Sequence, residues 1–129
     1  MSTDLASTMP LAELLGIQIK QADKGLVTGT MTVREDMCTL GGTLHGGAIM
    51  AMADSLGAVA AFMNLPEGAA GTTTIESKTN FLRAAPVGTT VRGETSPINA
   101  GKRLAVLSTT IIGEDGKDIA VVTQTQLVL

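Results

Sequence analysis

The hydrophobic and polar positions change period along the chain, and each change marks an element. Residues 10–16, Pro-Leu-Ala-Glu-Leu-Leu-Gly, carry proline where a helix begins and glycine where one ends, predicting a short N-terminal helix. Period-two alternation then predicts strands over residues 17–21 and 27–33, with Val27, Gly29, Met31 and Val33 on one face and Asp23, Lys24 and Gly25 as the turn. From 46 to 63 the alternation stops. Eighteen residues rich in Ala, Met and Leu contain one ionisable side chain, Asp54, a composition that favours helix. At roughly 1.5 Å per residue this segment is long enough to be a central helix, and apolar enough to be expected buried nearly all round. It approaches the length of a membrane span, but Asp54 and Ser55 sit at its centre, where a charge costs about 3 kcal/mol on insertion scales. A core helix is the reading.

Beyond Pro66 the β-branched residues return, predicting strands over residues 73–82, 90–98, 104–112 and 119–129, with turns at 99–101 and 114–116. In the last strand Ile119, Val121, Thr123, Thr125 and Leu127 alternate with a face carrying Gln124 and Gln126. This reads as a packed face and a polar one, as in an antiparallel sheet with one side on the helix. The predicted class is α+β: an antiparallel sheet of five to six strands wrapped around one long helix, in a single domain over residues 1–129.

Composition narrows the function. Hydrophobic residues make up 44% of the 129 and charged ones 16%, so the chain folds rather than remaining disordered. Aromatic residues are 2%, both Phe, and the net charge is -3, so neither a base-stacking platform nor an electrostatic footprint for nucleic acid is present. Single Cys38 and single His45 exclude an internal disulfide and argue against a transition-metal site. The first sixteen residues hold Asp4 and Glu13 and no Lys or Arg, the wrong charge for a signal peptide. A cytoplasmic protein without a membrane partner is expected.

The chemistry is sought where the long helix begins. Thr43-Leu44-His45-Gly46-Gly47 precedes the apolar run, and two glycines at a helix start leave backbone N–H groups open to close approach by a ligand. Nine residues after His45 comes Asp54, with no cation between 46 and 63. A carboxylate buried without purpose would be costly, so this one invites a functional explanation.

These residues resemble the hotdog-fold thioesterases of the phenylacetate-degradation (PaaI-like) type. The match rests on Gly42-Thr43-Leu44-His45-Gly46-Gly47 with Ala53-Asp54, then Asn80-Phe81-Leu82-Arg83, Ala85-Pro86-Val87-Gly88 and Gly101-Lys102-Arg103-Leu104. The resemblance implies a hotdog fold and hydrolysis of an acyl-CoA to free acid and CoA. The carboxylate matching Asp54 would act on the thioester, and the backbone N–H matching Gly46 would hold its carbonyl oxygen. No cofactor is implied, coenzyme A being part of the substrate.

Helix geometry constrains how the two groups can meet. Gly46 and Asp54 are eight residues apart, roughly 12 Å along one helix axis, too far for both to touch one thioester carbon. Two chains with antiparallel long helices would bring Gly46 of one to Asp54 of the other. An obligate homodimer, or a tetramer of two dimers, is therefore predicted, as the resemblance also implies. An aspartate is ionised at neutral pH unless strongly desolvated, so Asp54 can activate water or attack the carbon itself; both remain open.

His45 either shapes the helix start or orients the thioester, with Gly47 beside it as a candidate substrate contact. Arg83, Lys102 and Arg103 are either ordinary solvated charges or ligands for the phosphates of coenzyme A. Thr39 stands where many relatives carry Asn, and Thr74 aligns loosely with a hydroxyl residue that orients water in some relatives. Met50, Met52 and Met63 read as core filler or as the wall of an acyl pocket. Two other classes share this fold: a non-catalytic acyl-CoA-binding module, and a dehydratase or hydratase, which would use a His together with an acidic residue.

Overall fold

The computed structural model describes residues 5–129; Asp4, counted above against a leader sequence, lies outside the described residues. A 3₁₀ turn, Leu5–Thr8, leads into helix α1, Pro10–Leu14, which has Pro at its first position and is followed, after its C-cap Leu15, by Gly16 with φ 73°. That left-handed conformation is open to glycine at no steric cost and turns the chain into the sheet. The strands are β1 (Gln18–Ala22), β2 (Val27–Thr32), β3 (Thr72–Phe81), β4 (Thr90–Ala100), β5 (Leu104–Ile112) and β6 (Asp118–Val128), and helix α2, Gly46–Met63, joins β2 to β3. The six strands form one sheet in the order β1-β2-β4-β5-β6-β3, every neighbouring pair antiparallel. Helix α2 contacts all six. This is the predicted hotdog arrangement, a sheet wrapped around its one long helix.

The helix seats closely because small residues face it. Leu56 is fully buried over Gly29 and Gly93, which pair directly across β2 and β4. A Cβ at Gly29 would fall 2.9 Å from one Leu56 methyl, and one at Gly93 would run into the other. Ile17, Met31, Met52, Val91, Leu107 and Ile111 belong to the same buried core cluster as Leu56.

Three expectations are corrected. Helix α2 is long and apolar enough to cross a membrane by composition, but it packs on the sheet and is not buried all round. Gly47, Met50, Asp54 and Phe62 form an exposed stripe on its far side, so Asp54 is not a buried charge within one chain. The faces of β6 are also reversed. Gln124 and Gln126 are buried against the helix with Ala120 and Val122, while Val121, Thr123, Thr125 and Leu127 face outward. Period-two alternation separates two faces without saying which is inside. Finally, β4 runs on to Ala100, so the turn before β5 falls at residues 101–103.

Candidate active site

The start of α2 is pinned from both sides. His45 donates its N–H to the Met37 carbonyl at 2.9 Å, and Leu44 donates to Ala85 at 2.9 Å. His45 is the N-cap, in extended backbone (φ -63°, ψ 136°), and its Nδ1 accepts from the Gly47 N–H at 2.8 Å. The next two donors, Ala48 and Ile49, reach the His45 carbonyl at 2.9 and 3.2 Å. One amide of the first turn is left over. The Gly46 N–H has no hydrogen-bond partner among the described residues, and it lies at the positive end of the helix dipole. A Cβ here would stand 3.2 Å from the Phe81 ring, so glycine allows the helix start to approach the end of β3.

Two turns along, Asp54 is exposed and its Oδ1 accepts from the Thr74 hydroxyl at 3.3 Å. Helix α2 therefore runs antiparallel to β3, with Gly46 at the Phe81 end and Asp54 at the Thr74 end. Met50, 40% exposed, lies between them on the helix, whereas Met52 is fully buried in the core and Met63 packs against its margin. The predicted residues Gly46, His45 and Gly47 are thus brought together, as are Asp54 and Thr74, but the two groups stay apart within one chain. The Gly47 N–H is committed to His45. Thr39 is exposed on the loop before α2, its N–H bonded to the Thr43 carbonyl at 2.8 Å.

The three basic residues do not converge in one chain. Arg83 follows β3 and donates its N–H to the Ile119 carbonyl at the start of β6, while the Arg103 carbonyl accepts from Val128 at the end of β6. Those points are nine residues apart, roughly 30 Å at about 3.3 Å per residue. Lys102 and Arg103 sit together in the β4–β5 turn, exposed. Among the described residues no group of three or more His, Cys, Asp and Glu could hold a metal.

Gln124 and Gln126 are not among the residues predicted for the site. Their buried amides connect the backbone of α2 to Thr74 through Gln124 Nε2 to the Ala53 carbonyl (3.2 Å) and Gln126 Nε2 to Thr74 Oγ1 (2.6 Å). The available signal was Gly57, where a Cβ would run into the Gln124 amide: a glycine inside an otherwise strong helical segment marks a close approach.

Residues 41–120 match the Thioesterase superfamily. The 1,4-dihydroxy-2-naphthoyl-CoA hydrolase of Escherichia coli is 32% identical over 103 residues, spanning 80% of this chain and 74% of that protein. The acyl-coenzyme A thioesterase PaaI of the same organism is 30% identical over 109 residues, spanning 84% of this chain and 75% of that protein. In structure, a mutant of thioesterase PA1618 from Pseudomonas aeruginosa superposes with a TM-score of 0.90 at 26% identity, covering 100% of this chain and 96% of that one.

Proposed function

Because the chain belongs to the thioesterase superfamily, we propose that it hydrolyses the thioester of an acyl-CoA at a site shared by two copies, Gly46 from one and Asp54 from its partner. The chain is a thioester hydrolase; the shared site is the finer reading. The observation that carries it is that, among the described residues, the one unpaired amide of the helix start and the exposed carboxylate lie at opposite ends of the same unpaired strand edge.

β3 is ten residues long, pairs only with β6 among the described residues, and is exposed at most positions. Such an edge is a template for another strand. The opposite edge, β1, has five residues and is interrupted by a bulge, which blunts it. A twofold axis crossing β3 near Ser77 would set the Phe81 end of one strand beside the Thr74 end of the other. Gly46 of one chain would then face the partner's Asp54, and the exposed Met50, Phe81 and Leu82 would gain a cover. The same pairing carries Arg83 towards the turn that holds Lys102 and Arg103 of the other copy, so that all three can meet the phosphates of one coenzyme A.

In this reading the Gly46 N–H, fixed by the cap on its neighbour, receives the developing oxyanion, a contribution of about 2.7 to 4 kcal/mol for one preorganised donor. His45 acts through the helix start and not as an acid or base. Asp54 either takes a proton from water as it adds to the carbonyl carbon and passes it to the departing sulfur, or attacks that carbon itself to form a mixed anhydride that water then hydrolyses, one proton of that water ending on the sulfur; in both routes the carbon–sulfur bond breaks, CoA leaves as the thiol and Asp54 is restored. Release of free thiol from a panel of acyl-CoAs tests the activity. Asp54→Asn is expected to lower kcat by about 10² to 10⁴-fold with little change in KM, and a folded Asp54→Asn protein with full kcat would remove this carboxylate from the chemistry.

A further inference from the structure

A closed polar ring lies between α2 and the sheet, and hydrolysis as described above does not use it. Ala53 and Asp54 are consecutive on the helix, and side chains from β6 and β3 link the backbone of the first to the side chain of the second. Gln124 Nε2 donates to the Ala53 carbonyl (3.2 Å), Gln126 Nε2 donates to Gln124 Oε1 and to Thr74 Oγ1 (2.6 Å), and the Thr74 hydroxyl donates to Asp54 Oδ1 (3.3 Å). Thr72 satisfies the remaining acceptor by donating to Gln126 Oε1 at 3.0 Å. Gln124 and Gln126 are 0% and 2% exposed, so water does not compete for the bonds from Gln124 to Ala53 and from Gln126 to Gln124, whereas the Thr74–Asp54 bond lies at the exposed end of the ring.

Both ends of the ring can only accept, and that fixes the direction of every bond between them. A backbone carbonyl has no hydrogen, so Gln124 turns its NH₂ to Ala53 and its carbonyl to Gln126. Gln126 must then present its own NH₂, one hydrogen to Gln124 and the other to Thr74. A hydroxyl that accepts from Gln126 keeps a single hydrogen to give, and the carboxylate of Asp54 takes it. Flipping either amide would set like against like in a dry layer, at about 1 to 3 kcal/mol for each group left unsatisfied.

We propose that Gln126 is a positioning residue for hydrolysis: by holding Thr74 as an obligate donor to Asp54 Oδ1, it fixes the carboxylate so that Oδ2 faces the reacting carbon or its water. The inference rests on Asp54 being the reacting carboxylate. Oδ2 has no partner among the described residues, so an unrestrained Asp54 on the exposed face of a helix would sample several rotamers and present either oxygen. Tying Oδ1 selects one. The anchor for that tie is not the exposed strand edge but a buried amide whose own orientation is set by the helix that carries Asp54.

The test compares steady-state kinetics of five variants in the full-length protein. Gln126→Met keeps length and removes the donor; it is expected to lower kcat about tenfold to a hundredfold, with KM within twofold. Thr74→Val should give a similar loss and Thr74→Ser should restore kcat. Gln126→Met combined with Thr74→Val should be no worse than the poorer single variant, because Gln126 acts through Thr74. Wild-type kcat in Gln126→Met, or losses that multiply in the double variant as a purely structural defect would make them, overturns the proposal. Should Gln126→Met fail to fold, the Thr74 pair decides: unchanged kcat in Thr74→Val overturns it, and a loss rescued by Ser supports it. Asp54→Asn in the same assay separates this inference from the one beneath it. Activity retained there removes the reacting carboxylate, whereas an inactive Asp54→Asn beside a fully active Gln126→Met removes only the positioning role.

Discussion

At the scale of single residues, His45 shows how a side chain can be placed at the proposed site by a structural task, the capping of α2. Its Nδ1 accepts the Gly47 N–H, and Gly46 remains the first-turn amide without a partner among the described residues. His45→Ala should lose the cap, about 1 kcal/mol of stability, and lower kcat as the first turn frays. His45→Asn, a better capping residue, should keep the melting temperature and most of the activity. Thermal unfolding and kinetics on the same samples check this; an Asn variant as stable as the parent but inactive would show that the imidazole does more than cap. The spacing from His45 to Asp54 was legible in the sequence because both lie on one helix, where distance along the chain is distance in space. Gln124 and Gln126 were not legible as site residues. Their partners come from Thr72, Thr74 and Ala53, segments joined only by the fold, and glutamine in a strand ordinarily faces water.

At the scale of elements, the boundaries found in the sequence are those set by local chemistry. Helix α2 and strand β5 fall at the predicted residues, the helix because a Gly-Gly pair opens an Ala- and Met-rich run, the strand because β-branched residues alternate between two turns. Strand order is a different matter. The place of β3 at the far edge follows from α2 carrying the chain across the whole sheet, and nothing local in residues 72–81 records it. How closely α2 sits on the sheet is set by glycines whose role appears only in three dimensions. Gly57→Ala places a methyl group against the buried Gln124 amide, and Gly93→Ala places one against Leu56. Each is expected to cost about 1 to 3 kcal/mol in urea unfolding, the range for overpacked cores. Gly25→Ala, in a turn with nothing within 4 Å, should be near neutral. If all three behave alike, the helix is not held at the distance described.

At the scale of the whole molecule, the proposed site depends on symmetry. A site made of Gly46 from one chain and Asp54 from its partner occurs twice in a twofold dimer, and the two copies can be inactivated separately. Gly46→Pro removes the amide hydrogen at the first helical position, where proline is tolerated, and Asp54→Ala removes the carboxylate. Each homodimer then carries two dead sites. A heterodimer of the two variants carries one site with both defects and one with neither. It should therefore regain about half the wild-type rate, and random reassortment of equal amounts should give about a quarter of that rate overall, since half the dimers are mixed. Sites completed within one chain give no recovery at any mixing ratio, so verified mixed dimers that remain inactive would return Gly46 and Asp54 to separate roles. Recovery would require the two residues to face each other across an interface, and of the two sheet edges only β3 is long enough and exposed enough to bring the helix start of one chain to the carboxylate of the next.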